Sequence, residues 1–168
     1  MLGKRMFTDH GYIDIGMDHF ALPSDDLYKA REEEYLHRNF MGYTTQKTAM
    51  LLGLGVSSIS DGGIAFAQNH KTIQQYYESV NNQELPVTKG YFLTGEDLAF
   101  RQYILDISCK GYTSFNRDDL AILKEYSFPE LKKLEEDELL TWNENELTVT
   151  ELGRFFIRNI CRAFDLHL

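Results

Sequence analysis

The chain has 168 residues, 43% hydrophobic and 26% charged, which excludes a disordered chain and allows one domain, or part of one with a small companion. Its 17 Lys and Arg against 26 Asp and Glu give a net charge of −9, a sign that disfavours nonspecific nucleic-acid binding. Two cysteines, Cys109 and Cys161, exclude a disulfide framework, and both sit in apolar helical contexts where a buried, reduced thiol is expected.

Tyr12 to Met17 reads as a short strand, apolar and β-branched, preceded by Gly11 and delivering Asp18 and His19 at its end. Pro23 and Ser24 stop it. Ser24 is the expected N-cap of a helix to about His37, with Asp25 and Asp26 suiting its first turn. His37 and Arg38 then complement a helix C-terminus or offer cations to carboxylates. Leu51 to Ser60 is an apolar, strand-like run broken by Gly53 and Gly55, which points to a bulge or close backbone approach. Asp61-Gly62-Gly63 is a turn. Ile73, Tyr76, Tyr77 and Val80 fall on one helical face that ends at Asn81-Asn82, and Pro86 opens a loop. Thr94, with Asp97 three residues on, predicts a capped helix running towards Cys109.

The last third changes character. Asn116 predicts the cap of a helix through Leu120 and Leu123, and Ser127-Phe128-Pro129-Glu130 has the form of a capping box for another. Leu139 to Trp142 and Glu146 to Val149, around Asn143-Glu144-Asn145, form a hairpin signal. Thr150 caps a final helix whose Leu152, Phe155, Phe156, Ile160 and Phe164 make one apolar stripe. Helix, helix, hairpin, helix is compatible with a winged-helix-like unit, and a soft boundary falls near Tyr91. No apolar run reaches transmembrane length, and Met1 to Met6 lacks the apolar stretch of a signal peptide, so a cytoplasmic protein without a membrane partner is expected.

Three segments are distinctive together: Ile15-Gly16-Met17-Asp18-His19-Phe20-Ala21, His37-Arg38-Asn39-Phe40-Met41-Gly42-Tyr43-Thr44-Thr45, and Leu51 to Ser60. With Ala67-Gln68-Asn69, Lys89-Gly90, Glu96-Asp97 and the run Gly153 to Cys161, they cover nearly the whole chain. The chain resembles the C-terminal third of the oxygen-independent coproporphyrinogen III oxidases, a radical S-adenosylmethionine family of haem biosynthesis. The resemblance implies an α/β to α+β fold. Residues 1–90 would be the last strands and helices of a partial (β/α) barrel, and residues 91–168 a helical, winged-helix-like C-terminal domain with a β-hairpin. The family's Cys-x3-Cys-x2-Cys motif is absent, and two distant cysteines cannot hold a four-iron cluster alone.

The resemblance further implies an enzyme that, as a full-length parent, oxidatively decarboxylates two propionates of coproporphyrinogen III to vinyls, giving protoporphyrinogen IX. S-adenosylmethionine, a 4Fe-4S cluster and an electron donor serve that parent; the cluster would not be bound by this fragment, which alone is expected to be inactive. Phe40 by itself reads as core packing, while the resemblance puts it, with Met41, beside the substrate and cofactor cavity. Family members often carry Gln where Met41 stands, and Met lacks the amide's donors and acceptor. Ile59 by itself is a core isoleucine; by resemblance it helps bind a second S-adenosylmethionine. No residue here is expected to act as a catalytic acid or base, and no metal-ligand spacing occurs. The alternative is a haem chaperone on the same scaffold, whose His-Asn-x-x-Tyr-Trp loop differs from His37 to Thr44. A winged-helix nucleic-acid binder and a bare interaction module are more distant readings. Strands parted from their barrel neighbours would expose edges, so the fragment is expected to self-associate.

Overall fold

The computed structural model describes residues 2–167, in which helices alternate with short strands paired into four small antiparallel sheets. They fall into two compact units: the residues up to Lys47 together with those from Ala99 onward, and Thr48–Leu98. In the first, α1 (Leu2–Asp9) leads into β1 (Ile13–Gly16), which pairs with β2 (His19–Ala21) through a turn with positive φ at Met17 and Asp18. The next helix, α2 (Asp26–Glu32), is capped by Asp25, whose carboxylate accepts from the Leu27 N–H, and not by Ser24. It also stops at Glu32. His37 and Arg38 therefore do not end a helix; they lie in β3 (His37–Asn39), paired with β4 (Gly42–Thr44).

The second unit is one sheet with one helix. The expected strand from Leu51 to Ser60 is mostly loop: Leu51 bridges Asp61, and the regular strand β5 is only Ile59–Asp61. A turn in which Asp61 Oδ1 accepts from the Gly63 N–H leads to β6 (Ala65–Asn69). Helix α3 (Ile73–Asn81) starts at a Thr72 cap, and Ile73, Tyr77 and Val80 of its apolar face are exposed. Past Pro86 the chain forms no loop but β7 (Val87–Phe92), giving the order β5-β6-β7. Proline lacks an N–H, so it stands just ahead of an edge strand without breaking a ladder. Thr94 and Asp97 make the expected reciprocal cap: Thr94 N–H donates to Asp97 Oδ2 at 2.8 Å and Asp97 N–H to Thr94 Oγ1 at 3.1 Å. They start α4 (Gly95–Lys110), whose later residues belong to the first unit.

After α4, β8 (Tyr112–Ser114) takes a place the sequence pattern did not mark. It joins the expected hairpin of β9 (Leu140–Trp142) and β10 (Glu146–Val149) in the order β8-β10-β9. Asn116 caps a 3-10 turn at Arg117–Asp119 that runs into α5 (Leu120–Ile122). A π-type turn, Leu123–Ser127, then continues into α6 (Phe128–Glu136) without an interruption. Ser127 is already helical there, so it caps nothing. The final helix begins as a 3-10 turn, Gly153–Phe156, before α7 (Ile157–Arg162). The tighter turn shifts the helical phase. Ile157, Ile160, Cys161 and Phe164 face inward, while Leu152, Phe155 and Phe156 of the expected stripe are exposed.

The core of this unit gathers Phe100, Ile107, Leu123, Leu131, Leu140, Leu147, Ile160 and Phe164. Each such side chain contributes roughly 1.5–3 kcal/mol when taken from water. Aromatic rings tie the elements: Phe128 lies 4.6 Å from Trp142, and Tyr103 lies 5.8 Å from both Phe115 and Phe164. A smaller cluster of Ile15, Ala21, Ala30, Leu36 and Cys109 fastens β1, β2 and α2 to the C-terminal end of α4.

Candidate functional site

The β3–β4 hairpin carries Phe40 and Met41 at its tip. Asn39 Oδ1 accepts from the Met41 N–H at 2.8 Å, and Gly42 turns the chain with φ +132°. A Cβ on Gly42 would lie 3.1 Å from His19 Nε2, a tight contact that adds to the backbone's preference for glycine there. Phe40 is 52% exposed and Met41 86% exposed, so neither is core packing. The Phe40 ring and the Met41 thioether are therefore open to contact from outside the hairpin.

The hairpin's base is held firmly. Tyr43 O–H donates to the Ser108 carbonyl of α4 at 2.8 Å, and the His19 ring packs edge-on against Tyr43 at 5.1 Å. A Cβ on Gly16 would stand 2.6 Å from the Tyr43 hydroxyl, so β1 can pass only with glycine there. Two of the distinctive segments, Ile15 to Ala21 and His37 to Thr45, thus meet at Tyr43. Burial chiefly pushes the Tyr43 hydroxyl far above its ordinary range, which keeps it a neutral donor. At the end of β1, His19 Nδ1 pairs with the Met17 carbonyl at 3.0 Å, and Asp18 lies 3.9 Å from Arg158.

In the second unit, Ile59 is half-buried on β5 opposite Gln68. The loop before it is organised by the side chains of Ser60, Asn69 and Tyr76. Asn69, buried at the end of β6, donates from Nδ2 to the carbonyls of Gly53 and Gly55 at 3.0 and 2.9 Å. Gly53 N–H donates to Ser60 Oγ, and Gly55 N–H to the Tyr76 hydroxyl. A Cβ on Gly53 would lie 2.8 Å from the Ile59 carbonyl carbon, so this glycine does allow a close backbone approach. Leu51 to Ser60 and Ala67 to Asn69 therefore meet around Ile59. Phe40 and Met41 belong to one unit and Ile59 to the other.

Among the described residues no group of three or more His, Cys, Asp and Glu side chains is placed to hold a metal. Cys109 and Cys161 are both free and buried; burial chiefly raises both thiols, that of Cys161 to about 12. Such thiols are poor thiolate donors, so these residues do not fit the ligation of an iron–sulfur cluster. Among the described residues no helix is long and apolar enough to cross a membrane.

No family model matches the chain. It is 43% identical over 167 residues to the oxygen-independent coproporphyrinogen III oxidase of Escherichia coli, covering 96% of this chain and 36% of that protein. Against the enzyme of that name from Synechocystis it is 40% identical over 171 residues, covering 96% of this chain and 37% of the relative. The structure of coproporphyrinogen III oxidase (HemN) from Escherichia coli, described as a radical SAM enzyme, superposes with a TM-score of 0.87 at 40% identity. That match covers 99% of this chain and 40% of the other. The chain spans little more than a third of the length of these relatives. In sequence and in mixed α/β fold, over nearly all of its residues, it is a relative of the oxygen-independent coproporphyrinogen III oxidases.

Proposed function

We propose that the chain is the C-terminal part of an oxygen-independent coproporphyrinogen III oxidase, converting two propionates of coproporphyrinogen III to vinyls in the cytoplasm. The observation that carries the reading is a match at 43% identity over 96% of the chain, in which the distinctive segments meet around Tyr43 and Ile59. S-adenosylmethionine and a 4Fe-4S cluster supply the radical chemistry when bound, and the cluster ligands and an electron donor come from outside this chain. Residues 1–90 correspond to the last part of a (β/α) barrel and residues 91–168 to a C-terminal helical domain. The sheet order β8-β10-β9, with α4 and α6 beside it, supports a winged-helix-like form for the latter. The compact units cut the chain at other points, because β1, β2 and the β3–β4 hairpin pack on α4.

This chain's own part is to shape and exclude. Phe40 and Met41 line the cavity of substrate and cofactor, and Ile59 offers an apolar face to a second S-adenosylmethionine. None of the three carries a group for acid–base work, so they position reactants. Replacing the matching stretch of the Escherichia coli oxidase by this chain tests the reading, with anaerobic conversion of coproporphyrinogen III as the assay. Formation of protoporphyrinogen IX is the expected result. A folded chimera that carries its cluster and forms none overturns the proposal.

A further inference from the structure

Arg38 stands in the middle of β3, directly opposite Tyr43. Its guanidinium carbon lies 5.8 Å from the centre of the Tyr43 ring, and its Nε is buried without a hydrogen-bond partner. Three buried side-chain atoms among the described residues lack a partner: Arg38 Nε, Ser127 Oγ and Trp142 Nε1. Only the first belongs to a permanent charge. An unmatched donor of a charged group is the costliest of the three, because a charge loses the most hydration on burial.

The carboxylates that share its surroundings are already taken. Asp14, which acts with Arg38 on the Tyr43 hydroxyl, is held by Lys4 at 2.9 Å. Asp106, which acts with Arg38 on the Cys109 thiol, is held by Lys110 at 2.9 Å. Arg38 also lies two residues before Phe40, at the foot of the same hairpin whose tip faces outward. The planar guanidinium fork matches a carboxylate with two parallel hydrogen bonds, and the Tyr43 ring lies beside it.

We infer that Arg38 receives a carboxylate of the ligand, of the propionate class that coproporphyrinogen III carries. The inference rests on the reading proposed above and adds a specificity-determining residue to it. Phe40 and Met41 would hold the flat apolar part of the ligand, while Arg38 fixes which edge of it faces the hairpin.

The test is fluorescence titration of the chimera with the Escherichia coli oxidase, using coproporphyrin III and, separately, its tetramethyl ester, which keeps the ring and removes the carboxylates. The variants are Arg38→Gln and Arg38→Lys, each checked for native Trp142 emission and far-ultraviolet dichroism. Loss of a charge-assisted pair predicts binding of the acid weakened about tenfold or more by Arg38→Gln, with Arg38→Lys between, since lysine keeps charge without the fork. The ester should bind both proteins equally and weakly. Equal binding of the acid by wild type and Arg38→Gln overturns the inference while leaving porphyrin binding intact, and would assign the Arg38 partner to a protein carboxylate. Absence of binding to either porphyrin by the unsubstituted chimera overturns the inference and removes support from the functional reading as well.

Discussion

At Cys161 and Cys109 the chain stores a dependence on alkaline pH. Burial pushes the Cys161 thiol from its ordinary 9.0 up to about 12 and raises that of Cys109, so the native state keeps protons that the unfolded chain releases. Their contribution is fully present below the ordinary thiol value and is lost as pH rises through the window up to about 12, at up to ~1.4 kcal/mol per pH unit for each group. The buried Tyr43 hydroxyl, also raised, adds in the same direction. Urea midpoints measured across this range should fall with rising pH, and Cys161→Ala should make the fall shallower. A flat profile would mean the thiols are wet in solution. The residues that the sequence brought forward, Phe40, Met41 and Ile59, came from resemblance and not from spacing. Asn69 was unreadable in its present role for a plain reason. A hydrogen bond such as Tyr43 to Ser108 links positions 65 apart, and no periodicity encodes which donors find acceptors across that distance.

Among the elements, two similar signatures behaved differently, and they can be separated by mutation. Thr94-x-x-Asp97 and Ser127-x-x-Glu130 both have the form of a capping box. Thr94 follows β7 in extended chain and makes the reciprocal bonds; Ser127 is preceded by the helical residues Leu123 to Tyr126, so the N–H groups it would cap are already engaged. Its hydroxyl is fully buried and unpartnered. Thr94→Ala should therefore cost about 1 kcal/mol in urea unfolding. Ser127→Ala should cost less than ~0.5 kcal/mol or stabilise, because it removes an unsatisfied polar atom. A loss at Ser127 equal to that at Thr94 would restore the capping reading. The caps at Thr94 and Asn116, the β9–β10 hairpin and the β5–β6 turn were legible because each depends on a few neighbouring residues. Strands β7 and β8 were not, since each is defined by pairing with a distant strand, and the end of α2 was missed because no glycine or proline marks it.

At the scale of the whole molecule, apolar surface is left open. Leu52, Leu54, Leu85 and Phe92 are exposed, and β7, exposed along its length, is an edge strand. Unpaired backbone beside apolar side chains is a template for association. Sedimentation velocity over a range of concentrations should show dimers or larger species, whereas a monomer throughout would show that these surfaces tolerate water. The mixed α/β class and the succession of elements in the last third could be read from the sequence. The way α4 draws the N-terminal strands and the C-terminal sheet into one unit could not, because that packing depends on Tyr43, Ile15 and Leu36 finding the far end of a helix some 65 to 90 residues away.

The role proposed for this chain is to shape a cavity for radical chemistry whose reactive groups lie elsewhere. It is tested most directly by Phe40→Ala and Ile59→Ala in the chimera with the Escherichia coli oxidase, measuring anaerobic vinyl formation alongside iron and sulfide content. Because small misplacements of reactants are costly, turnover should fall about tenfold or more in each variant while cluster content stays at the unsubstituted level. Unchanged turnover in both would contradict the claim, and loss of the cluster would show that these residues hold the fold instead.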